Sequence, residues 1–186
     1  MAAAPTTRCF WVIEDQFLAG AYPGSLNPDE HSQRLSDLWS AGVRTFINLM
    51  EEDETNNHND PFVAYEDVLG VLAREHGDPV SCLRFPVVDL SIPSKKKMQT
   101  ILDAIDDSLA ANRSVYLHCH GGIGRTGTAV CCWMLRHGYA TPEKVIELLR
   151  ELRQADLQTK NRKAPENRNQ IDFVTTWLEN EAEKLT

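Results

Sequence analysis

The sequence predicts an α/β domain with a central, mostly parallel sheet of about four to five strands flanked by helices. From residue 43 onward, apolar runs of strand length alternate with amphipathic runs of helix length. Such alternation implies right-handed crossovers and helices on both faces of a sheet. The length, 186 residues with 42% hydrophobic and 25% charged side chains, suits one compact domain over 1–186 better than two.

The first half of the chain supplies the elements that open the sheet. Gly42 and Gly77 are each expected to follow a helix, because glycine readily adopts the left-handed backbone found there. The predicted elements are, in order, two short strands within 10–22, a helix from Pro28 to Gly42, a strand over 43–49, a solvated acidic loop over 51–60, a helix over 62–76 and a strand over 81–88.

The second half begins with an amphipathic helix capped by Ser94, with apolar residues at helical spacing: Met98, Ile101, Leu102, Ile105 and Leu109. A short buried strand over 114–118 then runs directly into Cys119. Three more helices are predicted: one that begins within 125–127 and ends at Gly138, one opened by Pro142, and one presenting Ile171, Val174, Trp177, Leu178 and Leu185. Ligands of open parallel sheets bind beyond the carboxyl ends of the strands, so Cys119 and Asp89, which closes the strand over 81–88, are expected to converge.

Charge and composition limit the partners. The formal net charge of −8 repels nucleic acid and anionic membranes, so an anionic ligand requires a local binding device. The five cysteines show no zinc-ligand spacing and are expected to stay reduced, as in the cytoplasm. With no signal-peptide core and no apolar run long enough to cross a bilayer, we expect a cytoplasmic monomer that uses no metal or other cofactor.

A phosphate-binding loop is indicated between the strand over 114–118 and the next helix, in the segment His118-Cys119-His120-Gly121-Gly122-Ile123-Gly124-Arg125-Thr126-Gly127. The loop enters a helix N-terminus, where free N–H groups and the helix dipole attract anions. Its glycines allow the backbone to curl around a ligand. Arg125 can direct its planar fork to two oxygens of the same anion. The predicted substrate-binding residues are His120, Gly121, Gly122, Ile123, Gly124 and Arg125.

Cys119 is the predicted nucleophile of this loop. A cysteine that faces several N–H groups, a helix N-terminus and a guanidinium is expected to exist largely as thiolate. A thiolate below a bound phosphate is placed for in-line attack. The hydroxyl of Thr126 can donate a hydrogen bond to the sulfur and help it leave when the intermediate breaks down.

These residues resemble the signature of the protein tyrosine phosphatase superfamily, a His-Cys pair, five residues, Arg, and then Ser or Thr. The aspartate with a proline four residues later, Asp89 and Pro93, also resembles the small members of this superfamily. The resemblance implies that Asp89 is the general acid, which protonates the leaving oxygen and later deprotonates water. A turn or helix-capping role for Asp89 is the structural alternative, and Glu51, Glu52 and Asp53 are rival acids.

Three further polar residues, Gln170, His118 and His120, lie in or near the motifs. Gln170 precedes the last helix at a position that resembles the one some relatives use to orient the hydrolytic water, although a surface glutamine fits the pattern equally well. His118 is expected to brace the loop by bonding backbone groups, and His120 to pack locally or to face the rim of the substrate site.

The small size resembles dual-specificity phosphatases, since the longer recognition loop and the tryptophan before the acid of the receptor-type enzymes are absent from the sequence. The resemblance implies a phosphoprotein or phosphopeptide partner, with phosphotyrosine as substrate and phosphoserine or phosphothreonine as further candidates. The loop lacks the lysines of inositol-lipid phosphatases, which disfavours a phosphoinositide or another small phosphate ester without removing it. The basic run 95–97 could guide an acidic phosphopeptide, although such a run more commonly begins a solvated helix.

Two other classes of protein remain open at this level. A pseudophosphatase would bind phosphoproteins without turnover, which the intact Cys119, Arg125 and Asp89 argue against. Arsenate reductases and rhodanese-like sulfurtransferases share the loop geometry but need a resolving thiol or persulfide chemistry. Cys82, Cys131 or Cys132 could resolve an oxidised Cys119, and they more commonly pack as small apolar residues.

Overall fold

The computed structural model describes residues 3–56 and 58–177. Its centre is a five-stranded sheet in the order β1-β2-β5-β3-β4, with β1 antiparallel to β2 and the remaining neighbours parallel. The strands are β1 (Cys9–Ile13), β2 (Phe17–Ala21), β3 (Val43–Asn48), β4 (Ser81–Arg84) and β5 (Ser114–Cys119). The α/β class and the mostly parallel sheet are therefore confirmed.

Helices cover both faces of the sheet. They are α1 (Pro28–Ser40), α2 (Glu66–His76), α3 (Lys95–Ala110), α4 (Gly124–Arg136), α5 (Val145–Leu152) and α6 (Arg168–Thr175), with a short 3₁₀ turn at Arg153–Ala155. Helices α1 and α2 lie on one face, and α3 to α6 lie on the other. Strand β5 is the middle strand of the sheet, and α4 is the next element in the chain.

Alternation along the strands explains why both faces are apolar. In β5, Val115 and Leu117 pack toward the α3–α6 side, whereas Tyr116 packs toward α1 and α2. A central parallel strand buried on both faces carries apolar side chains throughout. Because β5 is held between β2 and β3, the chain that leaves it at Cys119 starts from a fixed point.

The boundaries of several elements differ from the sequence-based expectation. Helix α2 begins at Glu66 rather than at residue 62. Strand β4 ends at Arg84; the N–H groups of Phe85 and Val87 still bond to the carbonyls of Asn48 and Leu49, but Pro86 between them has no N–H to donate. Helix α5 begins at Val145, after a turn that contains Pro142.

Other expectations about the helices are confirmed. Ser94 caps α3, with its hydroxyl accepting from the Lys97 N–H at 3.2 Å. Gly42, Gly77 and Gly138 adopt positive φ after α1, α2 and α4. Helix α4 begins at Gly124, one residue before the expected range. Leu178 and Leu185, which were assigned to the last helix, lie outside the described residues, and within the described part of the chain no helix is long and apolar enough to span a bilayer.

Candidate active site

The phosphate-binding loop connects β5 to α4 as the sequence predicts. Cys119 is the last residue of β5 and is 3% exposed. It lies on a cavity of about 330 Å³ that is also lined by His120, Gly121, Ile123, Gly124 and Arg125 of the same loop. Asp89 and Leu90, from the segment between β4 and α3, line the same cavity, so the expected convergence of Cys119 and Asp89 is confirmed.

Glycine is required at Gly122 by a close backbone approach. Its φ is +69°, and a Cβ built on it would lie 2.5 Å from the carbonyl carbon of Gly20 and 2.6 Å from the N of Ala21. Both distances are far below van der Waals contact, and the left-handed φ disfavours any side chain. The loop is therefore seated on the end of β2, where Tyr22 N–H also donates to the His120 carbonyl at 3.0 Å.

Arg125 is almost fully buried and is held by carboxylates. Its Nη1 and Nη2 each bond to an oxygen of Glu54 at 2.7 Å, Nη2 lies 2.9 Å from Asp89 Oδ1, and Nη1 donates to the Val87 carbonyl at 3.0 Å. Burial alone would lower the pKa of Arg125, but the hydrogen bonds that it donates to Glu54 and the negative charges of Cys119, Glu54 and Asp89 raise it above its ordinary value. The side chain stays cationic throughout the working pH range.

The buried Nε of Arg125 has no hydrogen-bond partner among the described residues. A buried guanidinium N–H left without an acceptor is unfavourable, and an anion in the cavity would satisfy it. Glu54 thus occupies the far end of the arginine fork while Nε remains available. The expectation that the planar fork of Arg125 reaches two oxygens of one anion stays a prediction.

Glu54 is the functional residue that the sequence prediction missed. The acidic stretch 51–60 was expected to be solvated, but the Glu54 side chain is only 11% exposed because it is drawn inward to Arg125. The rival acids weighed in the sequence were Glu51, Glu52 and Asp53, and Glu52 and Asp53 are exposed. Nothing within the acidic run distinguishes Glu54 from its neighbours.

Asp89 lies on a loop that is tethered from α6. The Asp89 side chain is 57% exposed, and Leu90 beside it has a φ of +58°. Asn167 Nδ2 donates to the Leu90 carbonyl at 2.7 Å, and Gln170 Nε2 donates to the Ser91 carbonyl at 3.3 Å. We call residues 88–92 the acid loop. Its backbone conformation is held by two amide side chains of one helix N-terminus.

Gln170 is fully buried, which differs from the surface position considered in the sequence. Its Oε1 accepts from the N–H of Glu166 at 2.9 Å, and its backbone N–H donates to Asn167 Oδ1 in a capping box. A Cβ built on Gly124 would lie 2.9 Å from Gln170 Nε2, so the amide packs directly on the phosphate loop. The structure shows a capping and tethering role; the water-orienting role stays a prediction.

His118 braces the loop from below, as expected. Its Nδ1 lies 3.4 Å from the Cys119 carbonyl and its Nε2 lies 2.8 Å from the Tyr65 hydroxyl. Since a carbonyl only accepts, Nδ1 carries the hydrogen and Nε2 accepts from Tyr65. Burial lowers the pKa of His118 to about 3, and burial raises the pKa of Tyr65 well above its usual value. Both rings are therefore neutral at physiological pH.

His120 is half-buried at the rim of the cavity. Its ring packs edge-on against Phe62 with a centroid distance of 4.9 Å, which agrees with the expected local packing, and it also faces the cavity. Burial lowers the pKa of His120, and the nearby positive charges of Arg8 and Arg125 act in the same direction. Phe62 lies before α2 rather than inside it, which is why its ring can reach the rim.

Thr126 is buried, and its hydroxyl donates to the Gly20 carbonyl at 3.4 Å. The expected hydrogen bond from this hydroxyl to the Cys119 sulfur stays a prediction. Cys131 and Cys132 are buried in α4, which agrees with packing as small apolar residues, and burial raises the pKa of the Cys131 thiol. Burial raises the pKa of the Cys82 thiol to about 12, so neither thiol is activated.

Within residues 3–56 and 58–177, no group of three or more histidine, cysteine, aspartate or glutamate side chains is arranged to hold a metal ion. The basic run 95–97 forms the first turn of α3, and Lys97 Nζ donates to the Pro86 carbonyl. That bond ties the start of α3 to the segment that precedes the acid loop.

The fold and the loop are those of the protein tyrosine phosphatase superfamily, in its small dual-specificity type. The chain belongs to the family described as "Polymorphic toxin system, DSP-PTPase phosphatase", whose model matches residues 22–139. Protein 067L of Invertebrate iridescent virus 3, named as a tyrosine phosphatase, is 27% identical over 142 residues, which are 74% of this chain and 50% of that protein. The chain spans about half the length of the curated relatives it matches first, 50% to 56% of each.

Solved structures are similar over nearly the whole chain. Kinase associated phosphatase, in a form whose catalytic-site cysteine is replaced by serine, superposes with a TM-score of 0.69 at 18% identity and covers 94% of both chains. PTPMT1 in complex with PI(5)P superposes with a TM-score of 0.69 at 19% identity and covers 95% of this chain and 99% of that one. At these identities the likeness establishes the shared fold.

Proposed function

We propose that this chain is a phosphoprotein phosphatase that hydrolyses phosphotyrosine through a phosphocysteine intermediate. The observation that carries the proposal is the position of Cys119 on a cavity of about 330 Å³ that Arg125 and Asp89 also line. A nucleophile, a cation and a carboxyl group are the three elements that phosphate-ester hydrolysis by this route needs. Phosphoserine and phosphothreonine are further substrates of the same chemistry.

In the first step, the Cys119 thiolate attacks phosphorus and the bond from phosphorus to the ester oxygen breaks. Asp89 in its acid form gives its proton to that oxygen, so the tyrosine leaves as a neutral phenol. The loop N–H groups at the start of α4 and Arg125 stabilise the charge on the three equatorial oxygens. The exposed position of Asp89 at the cavity rim supports this role, because the leaving group also lies toward the rim.

In the second step, a water molecule attacks phosphorus and the bond from sulfur to phosphorus breaks. The Asp89 carboxylate formed in the first step takes a proton from that water, and Cys119 leaves as thiolate. Inorganic phosphate then dissociates, and both residues are back in their starting states. Charge and protons balance over the two steps without a metal or a second thiol.

Arg125 acts in this scheme through the donors that Glu54 leaves available. The Glu54 carboxylate fixes Nη1 and Nη2, while the buried Nε lacks an acceptor among the described residues. An equatorial phosphate oxygen bonded to Nε would satisfy that donor without displacing Glu54. Glu54 is a positioning residue in this proposal because it orients the arginine and does not touch the reacting atoms.

A second candidate function is hydrolysis of a small ester that carries several phosphates. The loop itself has no lysine, but Arg8 and Arg162 from other segments line the cavity. A substrate panel of phosphotyrosine peptides, phosphothreonine peptides and phosphoinositides, compared by kcat/KM, separates the two. A higher kcat/KM for the peptides supports the phosphoprotein phosphatase proposal. A higher kcat/KM for the phosphoinositides supports the second candidate function instead.

The nucleophile is tested with Cys119→Ser in a chromogenic phosphate-ester assay, with Cys82→Ser as the matched control because Cys82 lies on β4 of the same sheet and outside the catalytic cavity. We expect Cys119→Ser to lose turnover and Cys82→Ser to keep it. Acid-quenched reactions of the wild type with labelled substrate should yield phosphate bound to the peptide that contains Cys119. A Cys119→Ser protein as fast as the wild type would refute the mechanism, and so would insensitivity to vanadate, a five-coordinating phosphate mimic.

A further inference from the structure

Arg8 lies beside the catalytic loop although it precedes the first strand. Its carbonyl accepts from the Ala21 N–H at 3.1 Å, and Ala21 pairs with Cys119 in the parallel register of β2 and β5. A Cβ built on Gly20 would lie 2.5 Å from the Arg8 carbonyl oxygen, so glycine there permits the close approach. The side chain of Arg8 lines the same cavity as Cys119.

The Arg8 guanidinium has no acceptor in the described part of the chain. Its Nε is buried without a hydrogen-bond partner, and no carboxylate of residues 3–56 or 58–177 pairs with the side chain. A partly buried cation without a counter-ion is unfavourable in a free protein. Binding of an anionic ligand group would supply the missing counter-ion and stabilise the Arg8 guanidinium.

Arg162 provides a contrast within the same cavity. It also lines the cavity, but its Nη2 lies 2.6 Å from Glu166 Oε1, and its side chain is 60% exposed. Its charge is already neutralised by a neighbour and screened by solvent. Of these two arginines outside the loop, Arg162 has a carboxylate partner among the described residues and Arg8 has none.

A groove continues outward from Arg8. Arg8 and His120 line both the catalytic cavity and an adjoining cavity of about 190 Å³ whose other walls include Pro61, Phe62 and Val63. Leu26, which also lines this cavity, is 61% exposed. We call this second cavity the flanking groove. It combines apolar residues with the polar residues Ser25 and Asn56, and Arg8 is the cation at its junction with the active site.

We propose that Arg8 binds an acidic or phosphorylated side chain next to the scissile phosphotyrosine, and that the flanking groove holds the adjoining peptide. This rests on the proposed phosphatase function and specifies its substrate class: a phosphopeptide with an anionic residue beside the phosphotyrosine. An extended peptide advances about 3.3 Å per residue. When the phosphotyrosine side chain enters the catalytic cavity, the residues beside it therefore stay at the rim of that cavity, near Arg8.

The apolar walls favour a peptide over an inositol phosphate as the occupant. An inositol phosphate presents mainly hydroxyl and phosphate groups, which gain little from contact with Phe62, Pro61 and Leu26. A peptide supplies both an anion for Arg8 and apolar side chains for the groove. At the junction, burial lowers the pKa of His120 although Glu54 and Asp89 oppose this, whereas Arg8 carries a permanent positive charge.

The experiment compares phosphotyrosine peptides that carry alanine, glutamate or a second phosphoresidue at the flanking positions on either side. The readout is the ratio of kcat/KM for acidic over alanine flanks in the wild type, Arg8→Gln, Arg8→Lys and Arg162→Gln. We expect about a tenfold preference in the wild type, which corresponds to one charge-assisted contact, and its loss in Arg8→Gln. Arg8→Lys should restore part of the ratio, and Arg162→Gln should keep it.

Binding of the same peptides to Cys119→Ser protein, with and without Arg8→Gln, makes the result independent of turnover. If the wild type hydrolyses no peptide, the phosphatase proposal fails, while the binding ratio still tests Arg8. Equal kcat/KM values for peptides with acidic and alanine flanks in the wild type overturn the inference. So does an equal loss in Arg8→Gln and Arg162→Gln, or an Arg8 effect confined to inositol bisphosphates. Thermal unfolding of each variant identifies any change that arises from misfolding.

Discussion

Glu54 holds Arg125 by both carboxylate oxygens, each 2.7 Å from a different terminal nitrogen of the guanidinium. The two residues are 71 positions apart in the sequence, and both side chains are largely buried. A bidentate pair fixes the plane of the guanidinium as well as its position. The orientation of the Arg125 guanidinium therefore depends on the distant loop that carries Glu54.

Glu54→Gln should weaken both stability and catalysis. Neutralising Glu54 leaves the buried Arg125 charge with only the half-exposed Asp89 as a carboxylate partner among the described residues, and we expect the free energy of unfolding to fall by about 3 kcal/mol. Loss of the fixed guanidinium plane should lower kcat/KM by about ten- to a hundredfold. Urea unfolding and steady-state kinetics measure the two effects. Glu75→Gln, at an exposed position of α2, is the control. A Glu54→Gln protein with a lower KM and unchanged kcat would instead make Glu54 a competitor of the substrate.

Asp89→Asn should slow hydrolysis most for substrates with poor, strongly basic leaving groups. General acid catalysis typically contributes about 10²- to 10⁴-fold, so we expect kcat on phosphotyrosine or phenyl phosphate to fall by about a hundredfold or more. The fall should be much smaller with an activated leaving group such as p-nitrophenol. Asp107→Asn is the control, since Asp107 is exposed on α3. Equal losses for all leaving groups would remove Asp89 from the acid role and direct attention to Glu51, Glu52 and Asp53.

Asn167→Ala should disturb the acid loop from a distance. It removes the cap of α6 and the hydrogen bond to the Leu90 carbonyl, so we expect a loss of about 1 kcal/mol in the free energy of unfolding. Because Asp89 would be less well placed, kcat should fall with poor leaving groups and hold with p-nitrophenyl phosphate. Asn169→Ala, two positions along and exposed, is the matched control. A uniform change across leaving groups would show that Asn167 acts on stability alone.

Stability should decrease as the pH falls below about 6.5, through His118. In the folded protein, burial lowers the pKa of His118 to about 3, whereas the unfolded residue takes up its proton near the ordinary value of 6.5. Between these values the unfolded state binds more protons, so the contribution is complete above about pH 6.5 and declines toward pH 3. At pH 5 the loss is on the order of 2 kcal/mol.

Urea unfolding at pH 7.5 and pH 5 measures this effect. The difference in the free energy of unfolding between the two pH values is compared for the wild type and His118→Asn. The variant should show a smaller loss of stability between the two pH values, whatever its absolute stability. His58→Gln serves as the control because His58 is exposed. If the wild type and His118→Asn lose stability equally, the pH dependence belongs to other groups.

The parts of the site that the sequence predicts are those encoded locally. Cys119, the glycines and Arg125 occupy one strand–loop–helix segment, so their spacing alone indicates an anion site. Asp89 follows from topology, since two parallel strands of one sheet end at the same edge. Buried strands such as β5 are predicted well because apolar side chains are needed on both faces.

The parts that the sequence does not predict depend on contacts between distant segments. Glu54 has the same composition around it as the exposed acids beside it, and only the folded chain brings it to Arg125. Gln170 lies 79 positions from Ser91, and its burial follows from the docking of α6 against the acid loop. The early end of β4 reflects Pro86, whose missing N–H interrupts the ladder although the chain continues in the same direction.

The contact between Gly122 and Gly20 makes the N-terminal strands part of the support of the catalytic loop. The family match begins at residue 22, yet the backbone of Gly20 fills the space where a side chain at 122 would stand. A side chain at position 122 therefore requires the backbone at position 20 to move. A fragment trimmed to the matched residues 22–139 would lack the backbone on which the loop is seated.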